Sequence, residues 1–256
     1  MRAFDKQYRN LLREITICQF KLKDQSTFLG LFWSLLNPLL ILLVLLLFFS
    51  LNAGAGVPHY GIYLLIGVIQ YTHFSNSTSG AMTSLSSMRQ LTCDSVLPKE
   101  VLVVGAVLST TIEFIIAMSL GIVIAWCAGV KITWIAAMIP LVIVMQMLLV
   151  LWISLILACL HAFVRDIGHI YHVFLRILFF VTPIFYTPSY LGRGLARYIV
   201  FLNPLAHLIG FSRAVLVDGT VLPFRAIGLF AAGNLLAVVV TFTIFRRYEA
   251  RFAELV

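Results

Sequence analysis

From Leu29 to Leu51 the chain runs 23 residues with no charged side chain. As a helix rising about 1.5 Å per residue, that run is about 34 Å long, enough to cross the hydrocarbon core of a bilayer with some tilt. A helix that is apolar on every side has no face to offer water. The run begins inside Gln19–Pro38, QFKLKDQSTFLGLFWSLLNP. There Lys21 and Lys23 belong at a membrane surface, Leu29-Gly30 forms the junction, and Trp33 lies just inside. The side of the membrane that holds this junction sets the orientation of every later segment.

The rest of the 256-residue chain has the same character. It is 61% hydrophobic and 11% charged, with a mean hydropathy of +1.03. Soluble domains run at about 45–50% apolar and about 25% charged. No polar block is long enough for a separate soluble domain, so residues 1–256 read as one transmembrane domain with short tails. The polar, charged start argues against a cleaved signal peptide. The net charge of +8 fits membrane topology and anionic lipid headgroups rather than nucleic acid, for which no basic-aromatic module is present. Cys18, Cys93, Cys127 and Cys159 are isolated and form no CxxC motif.

Residues 4–23 have the pattern of an amphipathic interface helix. Phe4, Tyr8, Leu11, Leu12, Ile15, Cys18 and Leu22 make one stripe, and Arg2, Lys6, Arg9 and Arg13 lie opposite. Such a helix serves as an anchor, or also touches a cytoplasmic partner. Six spans follow, near Leu29–Leu51, Tyr60–Ser84, Glu100–Trp126, Thr133–Leu160, Ile170–Tyr186 and Phe224–Phe245. The second half of the second span, HFSNSTSGAMTSLSS, is too polar to face lipid. It packs among other helices or lines a wet path. Met88–Lys99, MRQLTCDSVLPK, reads as a short surface helix and turn. Between Thr187 and Phe224 two apolar pieces of re-entrant length meet at Asn203-Pro204. Arg246, Arg247 and Arg251 follow the last span in a short tail.

Six spans put both termini on one side. With the N-terminus inside, twelve basic residues are cytoplasmic: Arg2, Lys6, Arg9, Arg13, Lys21, Lys23, Arg89, Lys99, Arg165, Arg246, Arg247 and Arg251. Five are outside: Lys131, Arg193, Arg197, Arg213 and Arg225. The positive-inside bias therefore favours cytoplasmic termini.

No GxxxxGK[ST] loop occurs, so ATP hydrolysis is not expected on this chain. No catalytic set stands out. Asp166, His169 and His172 are a weak metal signal, better read as an interfacial helix end, and no metal site is expected. Charge inside a membrane is costly unless paired. Glu113 and Arg176 fall at similar depth in the third and fifth spans, which suggests a pair serving as a helix clamp or beside a substrate path. Tyr71, Phe74, Tyr171, Phe174, Phe180, Phe185 and Tyr186 gather on the second and fifth spans. Their rings either pack helices or line a path along which sugar rings slide.

The order of these features resembles the ABC-2 permease family. It comprises the basic amphipathic helix, LG-x-x-W-x-x-x-x-P at Leu29–Pro38, Leu97-Pro98-Lys99-Glu100, Arg165-Asp166, and TPIFY at Thr182–Tyr186. Within that family the chain is most similar to Wzm-type O-antigen export subunits and their capsule and teichoic acid relatives. The resemblance covers nearly the whole chain. It implies an all-α integral membrane fold of six transmembrane helices plus the interface helix at 4–23 and two gate helices at 190–217 before the last span. It also implies a homodimer working with two separate ATP-binding subunits, which carry ATP and magnesium, in a bacterial inner membrane. Residues 88–99 become the coupling helix, with Arg89, Cys93, Asp94, Leu97, Pro98 and Lys99 facing the ATPase. Trp33 and the aromatic set become channel residues for an undecaprenyl-diphosphate-linked glycan. Lys21, Lys23, Leu29 and Gly30 become an entrance for the lipid diphosphate. An ABC-2 exporter of drugs or small lipids is the nearest alternative, and a membrane lipid-processing enzyme a more distant one.

Overall fold

The computed structural model of the chain describes residues 2–24, 32–49, 57–93, 97–187 and 195–255. Among these residues there is no strand. The helices are α1 (Arg2–Asp24), α2 (Phe32–Phe49), α3 (Tyr60–Ser87), α4 (Arg89–Cys93), α5 (Glu100–Cys127), α6 (Ile139–Phe163), α7 (Ile167–Val181), α8 (Leu195–Leu202), α9 (Pro204–Leu216) and α10 (Phe224–Leu255). A 3-10 turn, Trp134–Met138, leads into α6. Three segments are long and apolar enough to cross a membrane: Glu100–Cys127, Trp134–Phe163 and Phe224–Glu249. Leu36–Phe48, Ile167–Val181 and Pro204–Leu216 are shorter apolar helices. The chain is an all-helical membrane protein.

α3 is the hub. It packs against α5 and α6 most extensively, and also against α2, α7 and α9. Its polar second half explains how. Small hydroxyl side chains let neighbouring backbones approach and hydrogen-bond across the seam. The Ser77 and Thr110 hydroxyls meet at 2.6 Å, joining α3 to α5. Other hydroxyls donate to their own helix, Thr78 to the Phe74 carbonyl at 2.7 Å and Ser84 to the Ala81 carbonyl at 2.7 Å. Part of this polar sequence is thus satisfied inside the seam, by its own helix and by α5.

Helix ends follow local chemistry. α5 stops at Gly129, whose φ of +84° is left-handed, while the Ala128 N–H still donates to the Ile124 carbonyl. Pro140 sits in the first turn of α6, where a missing N–H costs nothing. Asn203 caps α9. Its Oδ1 accepts the Leu205 N–H at 3.0 Å, and its Nδ2 donates to Thr182 Oγ1 at 2.9 Å, tying α9 to the end of α7.

Three sequence expectations are adjusted. The residues after Phe245 are not a loose tail: α10 runs unbroken to Leu255, and Phe252 is fully buried. The fifth span stops as a helix at Val181, and residues 182–186 are bent. The apolar stripe of α1 is in part taken by protein, because Ile15 is buried against the start of α5. Gly105 makes that approach possible, since a Cβ there would lie 2.9 Å from Ile15 Cγ2.

Candidate functional site: a groove between α2, α3 and α7

A groove of about 490 Å³ lies between α2, α3 and the C-terminal part of α7. Leu40, Ile41, Val44 and Leu45 form its apolar wall on α2. Asn37 adds an amide from the same helix, and facing them are Tyr71, Thr72, Ser75 and Asn76 of α3 and Phe179 of α7. α2 is otherwise apolar, and α3 contributes the hydrogen-bonding groups because its polar half begins here. Tyr71 is pinned: its hydroxyl donates to the Leu175 carbonyl of α7, and its ring meets Phe179 edge-on at 5.0 Å. Phe179 continues into a cluster with Phe180, Phe185 and Tyr186. Amides and hydroxyls set among flat apolar rings can bind hydroxylated rings, with the rings stacking and the amides bonding hydroxyls.

Behind the groove lies a small cavity of about 30 Å³, walled by Pro38, Thr72, His73, Asn76, Thr110 and Glu113. Thr72 and Asn76 line both spaces. The His73 ring stacks on Phe114 at 4.3 Å, and its Nδ1 lies 3.1 Å from the Gln146 amide nitrogen. Gln146 also donates to the Gln70 carbonyl at 2.9 Å, and Gln70 donates to Ser212. This buried polar chain ties α3 to α6 and α9.

At the end of α7 the backbone leaves the helix, and its carbonyls need donors. Four consecutive carbonyls get them from side chains. Arg213 on α9 donates to Pro183 at 2.6 Å and to Ile184 at 2.7 Å. Tyr60 donates to Phe185 at 2.8 Å, and Tyr63 to Tyr186 at 3.2 Å. Arg213 also reaches the Tyr63 carbonyl, through Nη2 at 2.9 Å and Nε at 3.1 Å. Its guanidinium lies 3.4 Å from the centre of the Tyr63 ring. Arg213 is buried and makes its bonds to carbonyls rather than to a carboxylate.

The opposite end is an elbow. α4 packs on α10 and α3, and the Thr92 hydroxyl donates to the Leu85 carbonyl at 2.7 Å. The N-terminus of α5 receives a carboxylate from α10: the Lys99 N–H donates to Glu249 Oε1 at 2.5 Å. An acid at a helix N-terminus satisfies an orphan donor and complements the dipole. Arg246, one turn earlier on α10, donates to Glu100 Oε1 at 2.9 and 3.2 Å. α1 closes over this cluster, with the Gln19 amide donating to the Leu102 carbonyl at 3.1 Å. Burial, and then the nearby Glu100 carboxylate, raise the pKa of the Tyr8 phenol.

The sequence model of a family described as ABC-2 type transporter matches residues 10–217. The chain belongs to this family. Among curated relatives, this ABC-2 chain is 28% identical over 249 residues to the O-antigen export system permease protein RfbA of Myxococcus xanthus, covering 97% of its own length and 96% of the relative. It is 26% identical over 247 residues to an O-antigen export system permease protein RfbA of Klebsiella pneumoniae, covering 96% and 95%.

The ABC-2 chain places the residues singled out from sequence in several settings. Tyr71 lines the groove, and Phe180, Phe185 and Tyr186 form the aromatic cluster at its end. Phe74 and Tyr171 are buried between helices, Tyr171 donating to Thr78 Oγ1 at 2.7 Å. Phe174 is exposed and stacks on Tyr171 at 6.0 Å. Trp33 is half-exposed on α2. Lys21 is exposed on α1, whereas the Lys23 side chain, Leu29, Gly30 and Asp94 lie outside the described residues. Arg89 and Cys93 are exposed on α4. Leu97 and Pro98 are half-buried, and Lys99 is buried at the elbow.

The expected clamp between Glu113 and Arg176 does not form within the chain. Glu113 faces the small cavity from α5. Arg176 is exposed on α7, which packs on α3 and α6. Equal depth along two helices does not put two side chains on facing surfaces. Asn37, Asn76 and Phe179 were missed as groove residues. The available signal was a lone amide in the apolar α2 and a phenylalanine one helical turn beyond Arg176.

Proposed function

We propose that the chain is the membrane subunit of an ATP-driven exporter that moves an undecaprenyl-diphosphate-linked, O-antigen-like polysaccharide across the bacterial inner membrane. The observation that carries this reading is nearly full-length similarity to O-antigen export permeases of two different bacteria. The groove supports it, since its mixed lining of amides, hydroxyls and rings suits hydroxylated rings.

In this reading six spans hold both termini in the cytoplasm, and two copies assemble with two ATP-binding subunits that bind ATP and magnesium. Helix α1 (the 4–23 segment) lies on the membrane beside the ATPase. Residues 88–99 enter an ATPase groove, with Arg89, Cys93, Asp94, Leu97 and Pro98 at the contact and the buried Lys99 holding the segment from behind. Lys21, Lys23, Leu29 and Gly30 form the entrance for the lipid diphosphate, which suits ammonium point charges. Residues 190–217 form the outer gate. Trp33 and the aromatic residues of α3 and of the α7 region line the path, where buried Phe74 and Tyr171 serve as its wall. The elbow suits coupling, because a push on α4 passes to α10 and to the start of α5 at once.

Deleting the gene is expected to strip the long-chain glycan from the cell surface and to accumulate lipid-linked glycan inside. A partner subunit unable to hydrolyse ATP is expected to reproduce both effects. Normal surface glycan in the deletion strain would sink the proposal. A simultaneous rise in sensitivity to small toxic compounds would then favour a drug exporter, and loss of capsule or teichoic acid alone would move the substrate to those polymers.

A further inference from the structure

α7 carries basic groups where an apolar helix should not. His169, His172 and Arg176 recur at helical spacing and fall within a sector about 60° wide, with Arg165 at its base. All four are exposed, and among the described residues none makes an ion pair or a side-chain hydrogen bond. Arg176 is nine residues beyond Ile167, about 14 Å along the helix. A charged group at such depth does not face hydrocarbon unless something polar covers it.

A second copy of the chain cannot readily supply the covering charge. Of the ten acidic residues in the sequence, Asp5, Glu14, Asp24, Asp94, Asp218 and Glu254 lie outside the apolar helical segments. Glu113 alone lies in the middle of an apolar helix, and it faces the small cavity inside its own chain. Glu100 and Glu249 are held at the elbow. Asp166, at the start of α7, is a full helical turn or more below His172 and Arg176. An anionic ligand remains, and the position of the stripe specifies it further. One turn past Arg176 on the same face is Phe179, which lines the groove. Cations and hydroxyl-binding rings therefore follow one another along a single helix face.

We infer that His169, His172 and Arg176 bind the diphosphate that joins lipid to glycan, and that the groove beginning at Phe179 takes the adjoining sugars. This rests on the function proposed above and adds a site to it. Guanidinium forks match phosphate oxygens in pairs, and imidazole N–H groups donate singly, so the stripe offers several donors to a compact dianion or trianion. It offers little to a neutral polyprenol.

The test uses the assembled exporter, this chain with its ATP-binding subunit, in nanodiscs. Undecaprenyl diphosphate, undecaprenyl monophosphate and undecaprenol are each titrated. The wild type is expected to prefer the diphosphate. His172→Gln with Arg176→Gln is expected to weaken diphosphate binding about tenfold or more, in line with the loss of charge-assisted bonds. The same variant should bind undecaprenol unchanged. Arg176→Lys alone should lose less, and Lys131→Gln, at the far turn, should lose nothing. Co-purification with the ATP-binding subunit shows that each variant is folded. If the double variant retains the wild-type preference, the stripe is not the site and the proposed function still stands. If the wild type prefers none of the three lipids, the lipid-linked substrate falls and the site falls with it.

Discussion

Arg213→Met should destabilise the chain by about 3–5 kcal/mol, the largest effect expected of any single substitution here. Arg213 holds three carbonyls, those of Tyr63, Pro183 and Ile184, at 2.6 to 3.1 Å. Methionine fills similar space but donates nothing, and residues 182–186 have no helix to fall back on. Residues 182–184 are buried, so the carbonyls there have no bulk water to replace the lost donors. Arg213→Lys keeps the charge and some donors but loses the fork that spans two chain segments, so it should recover only part of the loss. Gly67 belongs to the same device, because a Cβ there would sit 2.6 Å from Arg213 Nη2 and 3.4 Å from the Ile184 backbone. Denaturation of purified protein by titration with SDS reads the effect directly. A midpoint indistinguishable from wild type in Arg213→Met would show that the bend finds other donors.

The second large effect is asymmetric. Arg246→Met should cost about 2–4 kcal/mol, whereas Glu100→Gln should cost less than half as much. The Glu100 side chain is 2% exposed and that of Arg246 is 59% exposed. Removing the arginine strands a buried carboxylate, while neutralising the glutamate leaves a cation that solvent already reaches. Combining the two substitutions should recover much of the Arg246→Met loss, because no charge is then stranded. The same denaturation measurement on the four proteins completes a double-mutant cycle. Equal losses in the two single variants would mean that the carboxylate finds another cation, and the elbow would need a different account.

Much of the fold was legible because lipid makes helix boundaries sharp. Charges and turn residues mark where apolar runs stop, so Tyr60, Glu100 and Phe224 were placed correctly as helix starts, and Asn203-Pro204 as a break. The continuation of α10 was missed because Arg246 and Arg247 read as a stop. They extend the helix, and Arg246 finds its partner Glu100 far away in sequence. Side-chain facing was less legible. Arg213 counted as one of five outer charges, yet it is buried. Phe74 and Tyr171 have the composition of channel residues and the burial of core residues. Depth along a helix can be read from one segment, but the direction a residue faces depends on neighbours that only packing decides. Tyr71 was legible because it stands where α3 changes from apolar to polar.

The four thiols have a practical consequence. Cys18, Cys93 and Cys127 are exposed, and Cys159 is buried. Cys93 ends α4 at the elbow, and Cys127 ends α5, whose 28 residues rise about 42 Å from Glu100. One straight helix thus separates an accessible thiol at its elbow end from another at its far end. With Cys18 replaced by serine, maleimide reagents that do or do not cross the membrane can report which face each end occupies, with no cysteine introduced. Spin labels on the same two native positions would turn α5 into a fixed ruler. Movement of the elbow during turnover could then be measured against it.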